Sequence, residues 1–139
     1  MKKYFLLAAI VFAFNANGFA ITVPKAVADA FAQKFPAATD VKWGKENSKE
    51  YEAEFKLNGK TISANFLANG NWVETESVID AGELPAVVSG SVNTKHPGCT
   101  IVGVEKTEKS DGKILYEIKI KSGGKKQELI MNADGSMAK

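Results

Sequence analysis

The chain matches itself, and that internal repeat limits its fold more than any other feature. At an offset of 61 residues, Pro24 falls on Pro85, Val27 on Val88, Lys34 on Lys95, Pro36 on Pro97, Val41 on Val102 and Lys45 on Lys106. At an offset of 65 the match resumes: Tyr51-Glu52 falls on Tyr116-Glu117, Lys56 on Lys121, Gly59-Lys60 on Gly124-Lys125, Ala68 on Ala133 and Gly70 on Gly135. Apolar positions agree in kind, with Phe31 on Val92, Phe55 on Ile120, Phe66 on Met131 and Trp72 on Met137. The change of offset places four extra residues in the second copy, near Ser110 to Lys113. Ser110-Asp111-Gly112 predicts a turn there, and hairpin loops are where insertions are tolerated.

Each copy opens with a predicted helix. Pro24 and Pro85 suit the first helical position, where a missing N–H costs nothing. Val27, Ala30, Phe31 and Phe35 form one apolar stripe; Val88, Val92 and His96 form its counterpart, weakened by Ser91. Pro36 and Pro97 end the helices. Strands follow. Val41 and Trp43 alternate with Lys42 and Gly44, and Tyr51, Ala53, Phe55 and Leu57 alternate with Glu52, Glu54 and Lys56, the pattern of a half-buried antiparallel strand. Asn58-Gly59 predicts a tight hairpin. Ile62, Ala64 and Phe66 then alternate with Thr61, Ser63 and Asn65. Asn69-Gly70 makes the next turn, and Asn71 to Ile79 extends again. The second copy repeats the scheme with Val102 and Val104, then Ile114, Tyr116, Ile118 and Ile120, then Leu129 and Met131, with turns at Gly123-Gly124 and Asp134-Gly135 and a final short strand at Ser136-Met137.

The predicted class is therefore α+β: two tandem α-β-β-β(-β) repeats, about 23–80 and 84–139, joined in one antiparallel sheet with both helices on one face. The short Asp80-Ala81-Gly82-Glu83 connection argues that residues 21–139 form a single domain. The sheet face opposite the helices is expected to stay wet and to carry Glu52, Glu54, Ser63, Asn65, Glu117, Lys119 and Lys121.

The N-terminus reads as an export signal. Met1-Lys2-Lys3 is basic, Phe5 to Phe14 is an unbroken run of ten apolar residues, and Gly18 and Ala20 occupy the −3 and −1 positions of a cut after Ala20. Ten apolar residues are short for a bilayer span, so no integral membrane segment is expected after cleavage. Residues 1–20 are read as signal peptide, which predicts a periplasmic or secreted protein. Loss of Lys2 and Lys3 leaves 16 lysines, no arginine and 16 acidic residues. A formally neutral chain without arginine gives no electrostatic reason to expect nucleic acid. One cysteine, Cys99, allows no internal disulfide and is read as a small packed residue.

Beside the repeat, a set of core and turn residues carries a family resemblance. Pro24-Lys-Ala-Val27, Phe31, Lys34-Phe35-Pro36, Val41-Lys-Trp43, Tyr51-Glu-Ala-Glu-Phe55, Asn58-Gly59, Asn69-Gly-Asn-Trp72, Thr75-Glu76 and Leu84-Pro85 resemble the PepSY-like, β-lactamase-inhibitor-like family of small exported bacterial proteins. The resemblance runs from about Val23 to the C-terminus and contains no active-site signature. It implies tandem α-β units in a continuous curved sheet, with helices on the convex side and a partner held on the concave face. It transfers no binding residue.

The residues themselves offer little chemistry. His96 and Cys99 lie three apart across Pro97-Gly98, whereas Cys–His catalytic pairs are assembled from distant segments. One His and one Cys cannot build a tetrahedral metal site, and Asn132-Asp134-Gly135 lacks the closing glutamate of a calcium loop. The i, i+2 carboxylates Glu52/Glu54 and Glu74/Glu76 read as a solvated strand face. No enzyme activity, catalytic residue, metal or cofactor is expected. Two function classes stay open: a non-catalytic module that binds or inhibits a protein, such as a hydrolase or peptidase, through the open sheet face, and a small-ligand, peptide, glycan or envelope-structural protein. An aromatic patch on the open face would favour the first; a closed apolar cavity would favour the second.

Overall fold

The structure, a computed structural model, describes residues 21–138; the predicted signal peptide lies outside the described residues. The chain runs α1 (Lys25–Lys34), β1 (Thr39–Lys45), β2 (Glu50–Leu57), β3 (Lys60–Leu67), β4 (Trp72–Ile79), a 3-10 turn (Ala81–Glu83), α2 (Ala86–Lys95), β5 (Thr100–Lys109), β6 (Ile114–Ser122) and β7 (Lys125–Asn132). The seven strands pair antiparallel in sequence order, as one continuous meander. The two tandem α-β units are thus joined in a single sheet.

Both helices form for the same local reason. The carbonyl of Pro24 accepts the N–H groups of Val27 and Ala28, and that of Pro85 accepts those of Val88 and Ser89. Each proline is the N-cap, one residue before the expected position: its ψ of about 140° is extended, and the helix starts after it. Valine and the residue four on (Val27 and Phe31, Val88 and Val92) are the buried pairs of the two stripes.

Those stripes cover the same face of the sheet, over two separate cores. Val27 and Phe31 pack with Ala53, Phe55, Ala64 and Phe66. Val88 and Val92 pack with Val104, Tyr116, Ile118, Ile120, Leu129 and Met131, joined by half-buried Cys99. Between the cores the register brings Thr75 against Glu108 and Ser77 against Lys106, so a polar strip runs along the β4–β5 seam. Burial of apolar surface holds each unit, and backbone pairing across the seam, with Ile79 of β4 packed on the second core, holds the units to each other.

Two expectations about strands need correction. Val41 and Val102 do not point inward: both are exposed, because the β1–β2 register shifts between Thr39 and Lys42 and the β5–β6 register shifts between Ile101 and Gly103. An extra residue on one strand breaks the alternation at the same place in each copy. The final strand of copy two shrinks to one bridge, Met131 with Met137.

The four extra residues have a structural role. β5 continues to Lys109, and its last three residues pair with β4, Thr107 with Glu76, Glu108 with Thr75 and Lys109 with Glu74. The matching stretch of copy one, Glu46 to Ser48, lies beyond β1. The insertion therefore lengthens the hairpin strand that makes the seam.

Candidate functional site

Strand alternation fixes which side chains face away from the helices. One row across the sheet reads Gly44, Glu52, Asn65, Glu74 and Lys109. The next reads Lys42, Glu54, Ser63, Glu76, Thr107, Leu115 and Asn132. A third joins Val78, Glu105, Glu117 and Ile130, and a fourth joins Gly103, Lys119 and Glu128. No described helix lies over these rows; both helical cores are on the other face.

This open face is not uniformly wet. Ser63 is 2% exposed, Asn65 4% and Glu76 9%, which corrects the expectation for Ser63 and Asn65. The cause is side-chain length. Each short β3 residue sits between longer ones on β2 and β4: Asn65 between Glu52 and Glu74, Ser63 between Glu54 and Glu76. Glu52, Glu54 and Glu117 are half-buried, whereas Lys119 and Lys121 are exposed.

The electrostatics follow from that burial. The carboxyl of Glu76 is pushed up to about 8, first by desolvation and then by Glu74, Glu105, Glu46 and Glu52. Burial also raises Glu52, helped by Glu46 and Glu54 and opposed by a hydrogen bond from Ser63. Burial and the opposing Glu117 raise Glu105, against Lys119. Two acids are matched by lysines: Lys109 Nζ lies 2.6 Å from Glu74 Oε2, and Lys119 Nζ lies 3.3 Å from Glu117 Oε1. Asn65 Oδ1 and Glu76 Oε2 are buried with no hydrogen-bond partner. The centre of the open face is therefore an acidic floor with two buried oxygens that have no hydrogen-bond partner.

A cavity of about 700 Å³ opens at one side of this floor, lined by Lys42, Glu54, Lys60, Thr61, Val78, Ile79 and Asp80. The aromatic residues of the core cluster, Phe31, Phe55 and Phe66 with Trp43, Tyr51 and Trp72 packed on it, belong to the helix side. Among the described residues no aromatic patch lies on the open face, the feature expected to favour a protein partner, and the cavity is not sealed between sheet and helices.

The structure brings together Glu52, Glu54, Ser63 and Asn65 in one patch and Glu117, Lys119 and Lys121 along β6. Sequence reasoning missed Glu105 and underrated Glu76. The signal for both was present: Glu74 and Glu76 share the parity of the open face, and Glu105 follows the inward-facing Val104. Elsewhere, Cys99 donates its backbone N–H to the carbonyl of His96 at 3.2 Å. Asp134 accepts from the backbone of Ser136, a turn contact. Among the described residues, no three His, Cys, Asp or Glu residues are grouped to hold a metal. No helix among them is long and apolar enough to cross a membrane.

The family model described as "Putative beta-lactamase-inhibitor-like, PepSY-like" matches residues 19–61 and again 49–139. The double match agrees with the internal repeat. Among solved structures, a BLIP-like protein from Bacteroides fragilis is 23% identical, with 88% of this chain and 86% of that chain covered and a TM-score of 0.73. A DUF2874 family protein from Bacteroides ovatus is 24% identical, with 86% of each chain covered and a TM-score of 0.74. A protein described as a putative periplasmic protein from Bacteroides eggerthii is 18% identical, with 86% of this chain and 88% of that one covered and a TM-score of 0.75. At these identities the likeness is one of fold. No curated protein matches the sequence.

Proposed function

The chain belongs to the PepSY-like, β-lactamase-inhibitor-like family, and on that premise we propose that it is a non-catalytic binding module that captures a protein partner outside the cytoplasm. The observation that carries this reading is the open face. Seven rigid strands present one broad surface, and its centre holds buried polar atoms with unmet hydrogen-bonding capacity. Strand-held groups lose little conformational freedom on binding, so contacts to them are made at low entropic cost. Periplasmic placement rests on the predicted signal peptide and on the description of the similar Bacteroides eggerthii protein. Inhibition of a hydrolase is the form of capture that the beta-lactamase-inhibitor-like description of the family favours, with a peptidase as the other target class.

Pull-down from periplasmic extract with the protein as bait, followed by mass spectrometry, tests it. Glu54→Lys combined with Lys121→Glu should weaken capture. Lys119 is left in place because it offsets Glu105, Glu117 and Glu128. The control exchanges Lys25 and Asp29, an exposed i, i+4 ion pair on α1. Loss of capture in the helix control alone would show that the sheet face is not the surface used.

A second reading has its own observation. The cavity of about 700 Å³ beside Lys42, Glu54, Thr61 and Val78 falls in the size range of small-molecule sites. Saturable thermal stabilisation by a peptide or glycan library, with no protein captured, would favour it.

A further inference from the structure

We propose that Asn65 and Glu76 form a receptor for one cationic side chain, a guanidinium or ammonium group, projecting from the captured protein. This rests on the open face being the capture surface and names the chemistry that fits its centre.

Three observations converge. First, the two residues are 4% and 9% exposed, and one oxygen of each, Asn65 Oδ1 and Glu76 Oε2, has no hydrogen-bond partner. A buried polar atom left without a partner is costly: Asn65 Oδ1 can only accept, and Glu76 Oε2 accepts once its carboxyl ionises, so the two on adjoining strands suit a ligand that brings both donors and positive charge. The register partners of Asn65 are Glu52 and Glu74. Second, the surrounding field is negative: Glu74, Glu105, Glu46 and Glu52 all act on Glu76. A positive group is what that field selects. Third, the acids are spread over several strands, and no three among the described residues converge for a metal ion. A guanidinium has five donors and an ammonium three, so either reaches separated acceptors that a bare cation would not bridge.

The receptor is linked to protons. The charged and polar groups facing Glu76 are Glu52, Glu54 and Ser63 across β2 and β3, Glu74 on β4, Glu105, Thr107 and Lys109 on β5, and Lys42 and Glu46 from the first strand and its end. With its carboxyl near 8, Glu76 is largely protonated at neutral pH in the free protein. A bound cation favours the ionised form, so binding expels the proton. Affinity therefore rises as pH climbs toward 8 and levels off above it.

The test uses the 15N-labelled protein and two probes, the peptide acetyl-Gly-Arg-Gly-amide and its citrulline counterpart, which keeps the shape and lacks the charge. The arginine peptide should give saturable shifts at the Asn65 side-chain amide and at Ser63, Glu76 and Thr107, about tenfold tighter than citrulline, as one charge-assisted contact is worth. Its affinity should fall severalfold from pH 8.5 to pH 6. Glu76→Gln should abolish the preference while leaving the rest of the spectrum in place. The comparison of the two peptides on the unaltered protein needs no variant to fold. Equal response to both peptides, or shifts confined to the helices, overturns the receptor. If the peptides fail while open-face capture of a protein succeeds, the receptor falls and the binding module stands; peptide binding without any captured protein gives the reverse.

Discussion

The two halves of the sheet solve the same packing problem with different side chains. On β2 and β3, copy one uses Ala53 beside Phe55 and Ala64 beside Phe66. At the matching positions, copy two uses Ile118 beside Ile120 and Leu129 beside Met131. Above them, Phe31 gives way to Val92, and Trp43 gives way to Val104. Copy one therefore concentrates its volume in a few rings, with Phe31 in edge contact with Trp43, Phe55 and Phe66 at centroid distances of 5.2, 5.0 and 6.2 Å. Copy two spreads its volume over aliphatic chains around the single ring of Tyr116. Total volume and pattern hold the fold, and the choice of side chains is free within them.

The largest expected effect tests that comparison directly. Phe55→Ala should destabilise by about 3–5 kcal/mol, as large buried aromatic truncations do. Phe55→Ile and Ala53→Ile, each made alone, should both destabilise, the first by leaving a void and the second by overpacking. Together they write the copy-two arrangement into copy one, and the pair should cost less than the sum by about 1 kcal/mol. Urea unfolding of the four-member cycle checks it; strict additivity would mean that the two positions do not share volume.

Next in size is a contact the copies have in common. A Cβ on Gly70 would lie 2.6 Å from the carbonyl oxygen of Ala26, and one on Gly135 would lie 2.7 Å from that of Val87. Both glycines have φ above +80°. The turn after the third strand of each copy thus touches backbone at the start of its own helix. Gly70→Ala and Gly135→Ala should each cost about 1–3 kcal/mol, from strained φ together with the clash. Unequal losses in urea midpoint would show that one copy's helix can move aside and the other's cannot.

The open face departs from the symmetry of the cores, and pH reads the departure. Glu76 ionises near 8 when folded and near 4.5 when unfolded. Between those values the folded state holds the extra proton. That contribution to stability is present in full below about pH 4.5, is lost as pH rises toward 8 and is absent above it. After allowance for solvent screening the swing should be at most about 2 kcal/mol. Glu76→Gln should flatten that part of the stability profile. A wild-type profile already flat from pH 5 to 8 would remove the basis for an acidic floor.

Much of this was legible in the residues. The repeat gave the two units, the alternation gave both sheet faces, and the prolines and glycines gave helix ends and turns. What escaped is telling. Ser63 and Asn65 read as wet because polarity and parity say which face a residue is on, and say nothing of how long its neighbours are. Val41 and Val102 read as inward because a bulge resets parity and leaves no mark in a hydrophobic pattern. The acidic floor depends on β4 meeting β5, which brings Glu76 against Thr107 and Val78 against Glu105. The pairs that carry Glu76 and Glu74 lie on the lengthened part of β5, Thr107 to Lys109, visible in the sequence only as four unmatched residues.

The smallest effect separates the halves most finely. Glu54 and Lys119 occupy matching positions with opposite charges. Glu54 faces Lys42 in register, yet it also raises Glu52, so its removal gives up an attraction and relieves a repulsion. Glu54→Ala should therefore cost about 0.5 kcal/mol or less, the usual outcome at a surface position. Lys119 has no such balance. It lies 3.3 Å from Glu117 and holds down the carboxyls of Glu105 and Glu128. Lys119→Ala leaves three neighbouring acids to repel one another, and should cost about 1 kcal/mol. The difference should shrink in high salt, which screens exposed charges. Paired urea titrations at low and high salt measure it. Equal midpoints for the two variants at low salt would mean that the open face is electrostatically alike in both copies, and that its acidic centre belongs to neither.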